Sequence, residues 1–421
     1  PRPPSLQYDL SALVTITEGS SPVRRAVERA IGEPAADVVL GVTSAIAQGL
    51  TGGPLGPMLD LAQRTMDLRM LAGRRQVWHE QEDLLFATPP KDRHVVVRPP
   101  NRPRSLPEGP IEEYADRAWL VSLGGFGVTL VASQQFHRAA TVLQAGVPKA
   151  ARIGRASFVS ELGRLLAARG TIVLDPSRLE LLDRLDVLIV GRDLVDGPGH
   201  AQFAEALEGA ASRAGARLLT DADGPLPAGY EVVAGRSLID TVRAEQRRGG
   251  VVGLILGRPS PALAAADLGI GVRAEGAAPW GAHAITPDPV EALTLVAAIS
   301  RAKETSRQSI DLATVGSVAA ALTALGTPLP AIPFWRGTVS VLAPVNIAGA
   351  LALGNGARHA REVIRHPLII RRDPTPWHAL DVAATLDRLG TTRLGLSEAD
   401  ARARRTEPHA EPALPVRFVR S

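Results

Sequence analysis

The side chains best suited to catalysis or ligand binding lie in a loop that follows a short aliphatic segment. Residues 187–190 are Val-Leu-Ile-Val, and the loop after them contains Gly191, Arg192 and Asp193. A continuous apolar run that ends at a glycine is typical of a buried strand. Chemistry in α/β folds is placed beyond the carboxyl ends of such strands, where a carboxylate serves as nucleophile or cation ligand. Asp193 is therefore the first candidate, and a solvated loop aspartate is the alternative.

A second pair of carboxylates follows another strand-like segment. Asp221 and Asp223 come directly after residues 217–220. Side chains at the ends of neighbouring strands can meet at one edge of a sheet, and two aspartates there could bind a cation. A turn built from Asx residues explains the same pattern.

The elements that must position these loops alternate between strand and helix patterns. Such alternation predicts an α/β domain with a parallel sheet. The predicted strands are residues 171–175, 187–190, 217–220 and 251–256, and the predicted helices between them are 201–214 and 237–248.

Composition narrows the function classes. The chain has 421 residues, a formal net charge of +4, a hydrophobic share of 45% and no cysteine. The length allows several domains, and the lack of cysteine excludes disulfides and thiolate metal sites. Arginines alternate with acidic residues without interleaved aromatics, so we expect no nucleic-acid partner. The chain starts at Pro1 without the order of a signal peptide, and we expect an interior piece of a longer protein.

Nearly uncharged apolar runs flank the α/β segment. Residues 118–133, 312–325 and 338–353 are runs of roughly 14 to 17 residues, and Thr51-Gly52-Gly53-Pro54 divides the run 35–61 into two arms, so every segment is shorter than the ~20 residues that a bilayer requires. Each run lies next to arginines. Their arrangement in pairs predicts membrane hairpins and a multi-pass protein of the cell membrane, with the lipid bilayer as a partner and the α/β domain in the cytoplasm. Buried helical pairs in a soluble protein are the alternative. The runs are residues 35–61, 118–133, 312–325 and 338–353.

The order of these parts resembles the P-type cation-transporting ATPases. Residues 265–272, AADLGIGV, are similar to the hinge segment of that family, and residues 216–220 to the approach to its TGD motif. Residues 375–404, with Trp377 and His378 followed by GLSEADARAR, resemble the cap that begins such ATPases. A cap after an ATPase-like body implies that an active unit follows in the same or a neighbouring chain. The arrangement is similar to the degenerate N-terminal half of the tandem actinobacterial cation-transporting ATPase I type.

The resemblance also implies what has been lost. Alignment with the family's DKTGT motif puts Gly191 at the nucleophile position and Arg192 at the lysine, and only a shifted register brings Asp193 there. The GDGVND hinge is replaced by GLILGRP, and Asp267, a weak metal candidate, more naturally forms a cap or salt bridge. The family uses ATP and Mg²⁺, but the residues that hold them are missing, so the cofactor of this chain stays unknown.

The resemblance points to a degenerate ion path as well. Pro148 and Lys149 stand where the family has PEGL, so a lysine replaces the acid. Asn346 matches the asparagine of a later helix whose following aspartate is absent. These residues are expected to pair or hydrogen-bond between helices rather than bind a transported ion.

The expected fold is thus a reduced HAD-like α/β phosphorylation domain combined with a membrane α-helical part. The expected domains are an N-terminal cytosolic segment (1–34), a first membrane hairpin (35–77), a Pro-rich linker in place of the actuator domain (78–112), a second membrane pair with a cytosolic helix extension (113–170), a phosphorylation domain without nucleotide-binding insert (171–305), a third membrane pair (306–368) and the cap of a following unit (369–421).

Our leading hypothesis is a membrane module of a cation-transporting P-type ATPase that lacks catalytic and ion-site residues. It would act as a structural or regulatory partner of an active half. The alternatives are a residual HAD-like ATPase or phosphatase that uses Asp193 and Asp221, a soluble α/β binding protein, and the product of a truncated reading frame.

Overall fold

The computed structural model describes most of the chain from residue 55 to residue 365. The described residues are 55–87, 101–134, 148–196, 200–224, 226–233, 235–273, 278–324, 342–365 and 380–388, with isolated positions at 32, 139, 142, 143, 145, 146, 391, 395 and 398. The chain divides into two compact units, residues 1–370 and 371–421.

Most of the described residues lie in helices. They are α1 (Leu55–Phe86), α2 (Pro110–Ser133), α3 (Lys149–Ala168), a 3₁₀ helix (Pro176–Arg184), α4 (Arg192–Val195), α5 (Ala201–Ala214), α6 (Leu238–Arg248), α7 (Pro261–Ala265), α8 (Pro289–Ala324), α9 (Ala343–Arg365) and, in the second unit, α10 (Val382–Arg388). The strands are β1 (Ile172–Val173), β2 (Val187–Val190), β3 (Arg217–Thr220), β4 (Tyr230–Val232), β5 (Val252–Leu256), β6 (Leu268–Val272) and β7 (Ala284–Thr286).

The seven strands form one sheet in the order β1-β7-β6-β5-β2-β3-β4. All neighbours are parallel except β1, which pairs antiparallel with β7. Every residue of β2, β5 and β6 is buried, because helices cover both faces of the sheet. The predicted α/β fold with a mainly parallel sheet is confirmed.

The chain changes direction in the middle of this sheet. From β2 it moves outward to β3 and β4, and it then returns to the other side of β2 and continues through β5, β6 and β7. The strand order therefore reverses between β2 and β5. A crevice at the carboxyl ends of the strands on either side of such a point is where doubly wound sheets bind ligands.

The helices α1, α3, α8 and α9 pack closely because small residues lie where they cross. A Cβ atom on Gly356 of α9 would stand 2.3 Å from the carbonyl oxygen of Gly154 on α3. A Cβ atom on Gly154 would in turn collide with the Ser309 hydroxyl of α8. Side chains at either glycine would push these helices apart, so the contact depends on them.

Several helices run through the expected domain boundaries. The linker expected at 78–112 begins later, because α1 continues through residue 86. The third membrane pair was expected to start at residue 306, but α8 is continuous from Pro289 to Ala324 and joins both regions. Residues 35–54 of the first hairpin, residues 325–341 of the third membrane pair and most of the cap lie outside the described residues.

The predicted membrane hairpins are not supported by the hydropathy of the helices that the structure describes. Within the described ranges, no helix combines the length and the hydropathy of a membrane-crossing helix. The reason is that each apolar stretch continues into charged turns of the same helix, as in α8, where Arg307 and Asp311 precede the uncharged residues 312–324.

Candidate functional site

The loops with candidate chemistry meet at the carboxyl edge of the sheet. Gly191 directly follows β2, Asp221 follows β3, and Gly257 follows β5. The place where the strand order reverses therefore lies beside Gly191 and Gly257. The sequence analysis named all three loops, the third through the predicted strand 251–256 and the segment GLILGRP, but it gave no sign of a contact between Gly257 and Asp193.

A side chain at Gly191 would displace its neighbours. Its backbone is extended, and its amide donates to the carbonyl oxygen of Ile255 at 3.0 Å. A Cβ atom built on Gly191 would lie 2.3 Å from Asp193 Oδ1 and 2.3 Å from a methyl carbon of Leu256. These are distances that real Cβ atoms do not adopt. The position that aligns with the family's nucleophile is thus filled by neighbouring side chains.

Asp193 joins the two strands at which the order reverses. Its Oδ2 accepts a hydrogen bond from the amide of Gly257 at 2.7 Å. Its Oδ1 is buried and finds no hydrogen-bond partner in the part of the chain that the structure describes. One oxygen therefore has a structural role, and the other is a buried acceptor beside Gly191.

Arg192 satisfies the carboxylates of the neighbouring loop. Its backbone amide donates to Asp221 Oδ1 at 2.7 Å, and its guanidinium donates to the Asp221 carbonyl oxygen at 2.5 Å. The same guanidinium lies 3.4 Å from Asp221 Oδ2 and 3.7 Å from Asp223 Oδ2. The positive charge beside the two aspartates is therefore supplied by the Arg192 side chain.

These contacts do not fit a magnesium site. Mg²⁺ requires near-octahedral oxygen ligands, with carboxylates free to face the ion. Here Asp221 is held by Arg192, and one oxygen of Asp193 is held by a backbone amide. In the described residues, no group of three or more His, Cys, Asp or Glu side chains is arranged to hold a metal ion.

Asp267 lies at the opposite edge of the sheet. It precedes β6, and its side chain is 3% exposed. Its Oδ1 accepts from Arg102 Nε at 2.9 Å, and its Oδ2 accepts from the amide of Val252 at 2.9 Å. Arg102 also donates to the carbonyl oxygen of Gly250 at 2.6 Å. Asp267 therefore fastens residues of the preceding linker to the amino edge of the sheet.

The three ion-path candidates occupy helix positions. Pro148 is the buried residue immediately before α3. Lys149 begins α3, and its ammonium group lies 3.2 Å from Asp60 Oδ1 of α1. Asn346 is buried near the start of α9, where its backbone N–H donates to the carbonyl oxygen of Leu342 at 3.0 Å.

Sequence reasoning missed a buried ionic cluster that joins the helices to the α/β domain. We call it the joint cluster; its members are Glu112, Arg155, Asp183, Arg184 and Ser306. Asp183 accepts a hydrogen bond from the Ser306 hydroxyl at 2.7 Å and lies 3.6 Å from the Arg155 guanidinium. Glu112 accepts from Arg155 and from Arg184, both at 2.8 Å. Local residue spacing does not predict this cluster, because its members come from four separate elements.

Charge compensation in the joint cluster outweighs the cost of burial for one carboxyl group. Burial alone would raise the pKa of Glu112. The hydrogen bond from Arg155, with the positive charges of Arg155 and Arg184, instead lowers this pKa to about 2. Burial is the larger influence on nearby Glu180, whose pKa is raised.

Comparison with known proteins gives relatives for nearly the whole chain. No family model matches it. The chain is 28% identical to a probable cation-transporting ATPase I of Mycobacterium tuberculosis (strain ATCC 25618 / H37Rv). The alignment is 530 residues long, gaps included, and covers 92% of this chain and 32% of the relative. It is 26% identical to a probable cation-transporting ATPase I of Mycobacterium leprae (strain TN), again over 92% of this chain and 32% of the relative.

The chain thus spans about a third of the length of these curated relatives, 32%. They support a relationship to cation-transporting ATPases. A crystal structure of a zinc-transporting PIB-type ATPase in the E2.Pi state aligns with 62% of this chain and 65% of its own, at 16% identity. Its TM-score is 0.39, which is too low to support an argument about fold or function.

Proposed function

We propose that this chain is a catalytically silent module of a P-type cation-transporting ATPase. It lies in the membrane by its helical part and acts as a structural or regulatory partner of an active unit. The observation that carries the proposal is the carboxyl edge of the sheet, where Gly191 offers no nucleophile, the side chains of Asp193 and Leu256 fill the space beside it, and Arg192 neutralises Asp221. The site has the position of a catalytic site in a doubly wound sheet, and its contacts are structural.

The relatives support the assignment to a transport ATPase. The similarity extends over 92% of this chain, so it includes both the α/β domain and the helices around it. The cap-like residues 375–404 support the existence of a further unit. An active unit supplied by the same or a neighbouring chain would provide the phosphorylation that this edge lacks.

The helix α2 supports the membrane part of the proposal, because its pattern of exposure is reversed. Ser122 and Thr129 are buried, while Val121 is 75% exposed and Val128 is 71% exposed. A helix that packs on its small polar side and turns aliphatic side chains outward is suited to lipid. The exposed side belongs to the uncharged residues 118–133.

Vesicle binding by the full chain tests the membrane part. We expect the chain to co-float with phosphatidylcholine vesicles and to resist extraction with alkaline carbonate. The double variant Val121→Asp, Val128→Asp should lose most of this association. The matched control is the double variant Leu84→Asp, Val232→Asp, which adds the same two charges at exposed aliphatic positions of α1 and β4. Equal loss in both variants, or no binding by the wild type, favours the soluble α/β protein instead.

One observation favours the alternative of a residual ATPase or phosphatase. Asp193 Oδ1 is buried at the switch in strand order and lacks a hydrogen-bond partner in the described part of the chain. Such an oxygen is a possible ligand or nucleophile. This alternative predicts that Mg²⁺ raises the melting temperature and that Asp221→Ala abolishes the increase. The silent module predicts no Mg²⁺-dependent change in either protein.

A further inference from the structure

A polar cleft lies between three helices, on the side of the molecule formed by α1, α3 and α9. Its volume is about 710 Å³, within the size range of small-molecule sites. It is separate from the carboxyl edge of the sheet and from the joint cluster. Its charged lining residues are Arg69 and Glu80 of α1, Glu161 and Arg164 of α3, and Arg361 of α9.

Two of these arginines are held in place by one buried carboxylate. Glu161 is 6% exposed, and its Oε2 accepts from Arg164 Nε at 2.9 Å. Its Oε1 accepts from Arg361 Nε at 2.8 Å and from the Arg164 guanidinium at 3.0 Å. In the described part of the chain Arg361 bonds through Nε alone, which leaves its two terminal nitrogens as donors. The group carries one net positive charge.

Arg69 adds a second positive charge at the cleft. Within the described residues it makes no hydrogen bond or ion pair, and its side chain is exposed. The other carboxylate of the lining, Glu80, accepts from the Gln76 amide at 2.8 Å. The lining therefore carries three guanidinium groups against two carboxylates, and one of those carboxylates already serves to orient two arginines.

Small side chains keep the space between the helices open. Ala72, Gly73 and Ala167 line it, and a Cβ atom on Gly73 would make ordinary contact with the Ala167 methyl group at 3.4 Å. The helices thus approach each other without filling the cleft. An open cavity beside preorganised guanidinium groups is a suitable site for an anion with several oxygens.

We propose that this cleft binds a phosphate-bearing anion through Arg69, Arg164 and Arg361. Arg69 and Arg361 have terminal nitrogens that can donate paired hydrogen bonds to phosphate oxygens, and such charge-assisted bonds are stronger than neutral ones. Arg164, which Glu161 holds through Nε and one terminal nitrogen, adds its positive charge. Fixing two of the three groups on Glu161 lowers the entropy cost of binding. The inference does not depend on the silent carboxyl edge, so either can fail without the other.

The phosphate could belong to a soluble compound or to a lipid headgroup, and two probes distinguish these sources. Inorganic pyrophosphate is titrated into the full chain by calorimetry. Separately, a short-chain phosphatidic acid is titrated into the full chain by the same method, below its critical micelle concentration. Tighter binding of pyrophosphate supports a soluble ligand, and tighter binding of the short-chain phosphatidic acid supports a headgroup.

The decisive variant is Arg69→Gln, because Arg69 makes no hydrogen bond or ion pair within the described residues. We expect it to weaken binding of the active probe roughly tenfold, as the loss of one charge-assisted contact implies. The matched control is Arg75→Gln on the same helix, which is exposed and outside the lining. It should leave binding unchanged.

A second variant keeps all three arginines. Ala72→Glu places a carboxylate at an exposed position of the lining and should weaken binding by a similar factor through repulsion. The proposal is overturned if the wild type binds neither probe. It is also overturned if Arg75→Gln weakens binding as much as Arg69→Gln, since the effect would then be that of general surface charge.

Discussion

The two edges of the sheet use the same residue types at different depths. At the carboxyl edge, Arg192 is 51% exposed and pairs with aspartates in loops. At the amino edge, Asp267 and Asp183 have side chains that are 3% and 1% exposed, and arginines from distant segments satisfy them. Buried ion pairs are costly to break, whereas exposed pairs contribute little. Stability should therefore depend on the amino edge, and the carboxyl edge should tolerate change.

The largest expected effect is in the joint cluster. Replacing Asp183 with Ala removes the most deeply buried carboxylate beside Arg155 and Arg184 and also the acceptor of Ser306. Only the partly exposed Glu112 then remains to balance the two arginines. We expect the free energy of unfolding to fall by about 3–5 kcal/mol. Urea denaturation of the full chain, followed by tryptophan fluorescence, measures this.

The control for that variant is Glu304→Ala, which removes the partner of exposed Arg307 on α8. It should cost less than about 1 kcal/mol. If the two variants lose the same stability, burial does not distinguish the pairs and the comparison between the edges fails.

The second effect is a dependence of stability on pH at the amino edge. Burial, with the charge of Arg178, lowers the pKa of His283 from 6.5 to about 4. The neutral ring accepts a hydrogen bond from the Gly269 amide at 2.8 Å. Because the pKa is lowered on folding, this stability is present above pH 6.5 and is lost as the pH falls towards 4, by up to about 3 kcal/mol.

Urea midpoints of the wild type and of His283→Gln, measured between pH 7 and pH 4, test this prediction. The variant keeps an acceptor for Gly269 and should lose stability less steeply over that window. Equal slopes for the two proteins would show that His283 is not the group responsible.

A smaller effect is expected from the hydrogen bond that crosses the switch in strand order. Asp193→Ala removes the acceptor of the Gly257 amide and should cost about 1–2 kcal/mol. Asp193→Asn keeps an oxygen acceptor and should cost less. Thermal unfolding of both variants measures the difference, and a neutral Asp193→Ala variant would argue against a structural role for this carboxylate.

The smallest effect is expected for Arg192→Gln. The side chain is half exposed, and the backbone amide of Arg192 continues to bind Asp221 in the variant. We expect a change below about 1 kcal/mol in the same unfolding assay. A loss of stability comparable to that of Asp183→Ala would show that the two edges contribute equally to the free energy of unfolding.

The sequence predicted the centre of the sheet well and its margins poorly. Strands β2, β3 and β5 follow from continuous aliphatic runs, which are typical of parallel strands covered on both faces. Strands β4 and β6 were not predicted. Strand β4 is short and largely exposed at the outer side of the sheet, and the glycine-rich sequence of β6, LGIGV, lacks a continuous aliphatic run. The predicted strand at 171–175 is reduced to two residues that pair antiparallel with β7.

The candidate site was predictable in position and less so in its contacts. The loop after β2 is visible as residues that follow an aliphatic run. The hydrogen bond between Asp193 and Gly257 joins positions 64 residues apart, and Arg102 reaches Asp267 across 165 residues. Such pairings depend on strand order, which periodicity does not encode.

Phosphorylation from ATP tests the central claim most directly. The full chain is incubated with radiolabelled ATP and Mg²⁺, quenched in acid and examined for acid-stable phosphoprotein, with Asp193→Asn as the paired variant. The filled space at Gly191 and the pairing of Arg192 with Asp221 predict no label in either protein. Label on the wild type that disappears in Asp193→Asn would contradict the silent assignment and establish Asp193 as a nucleophile.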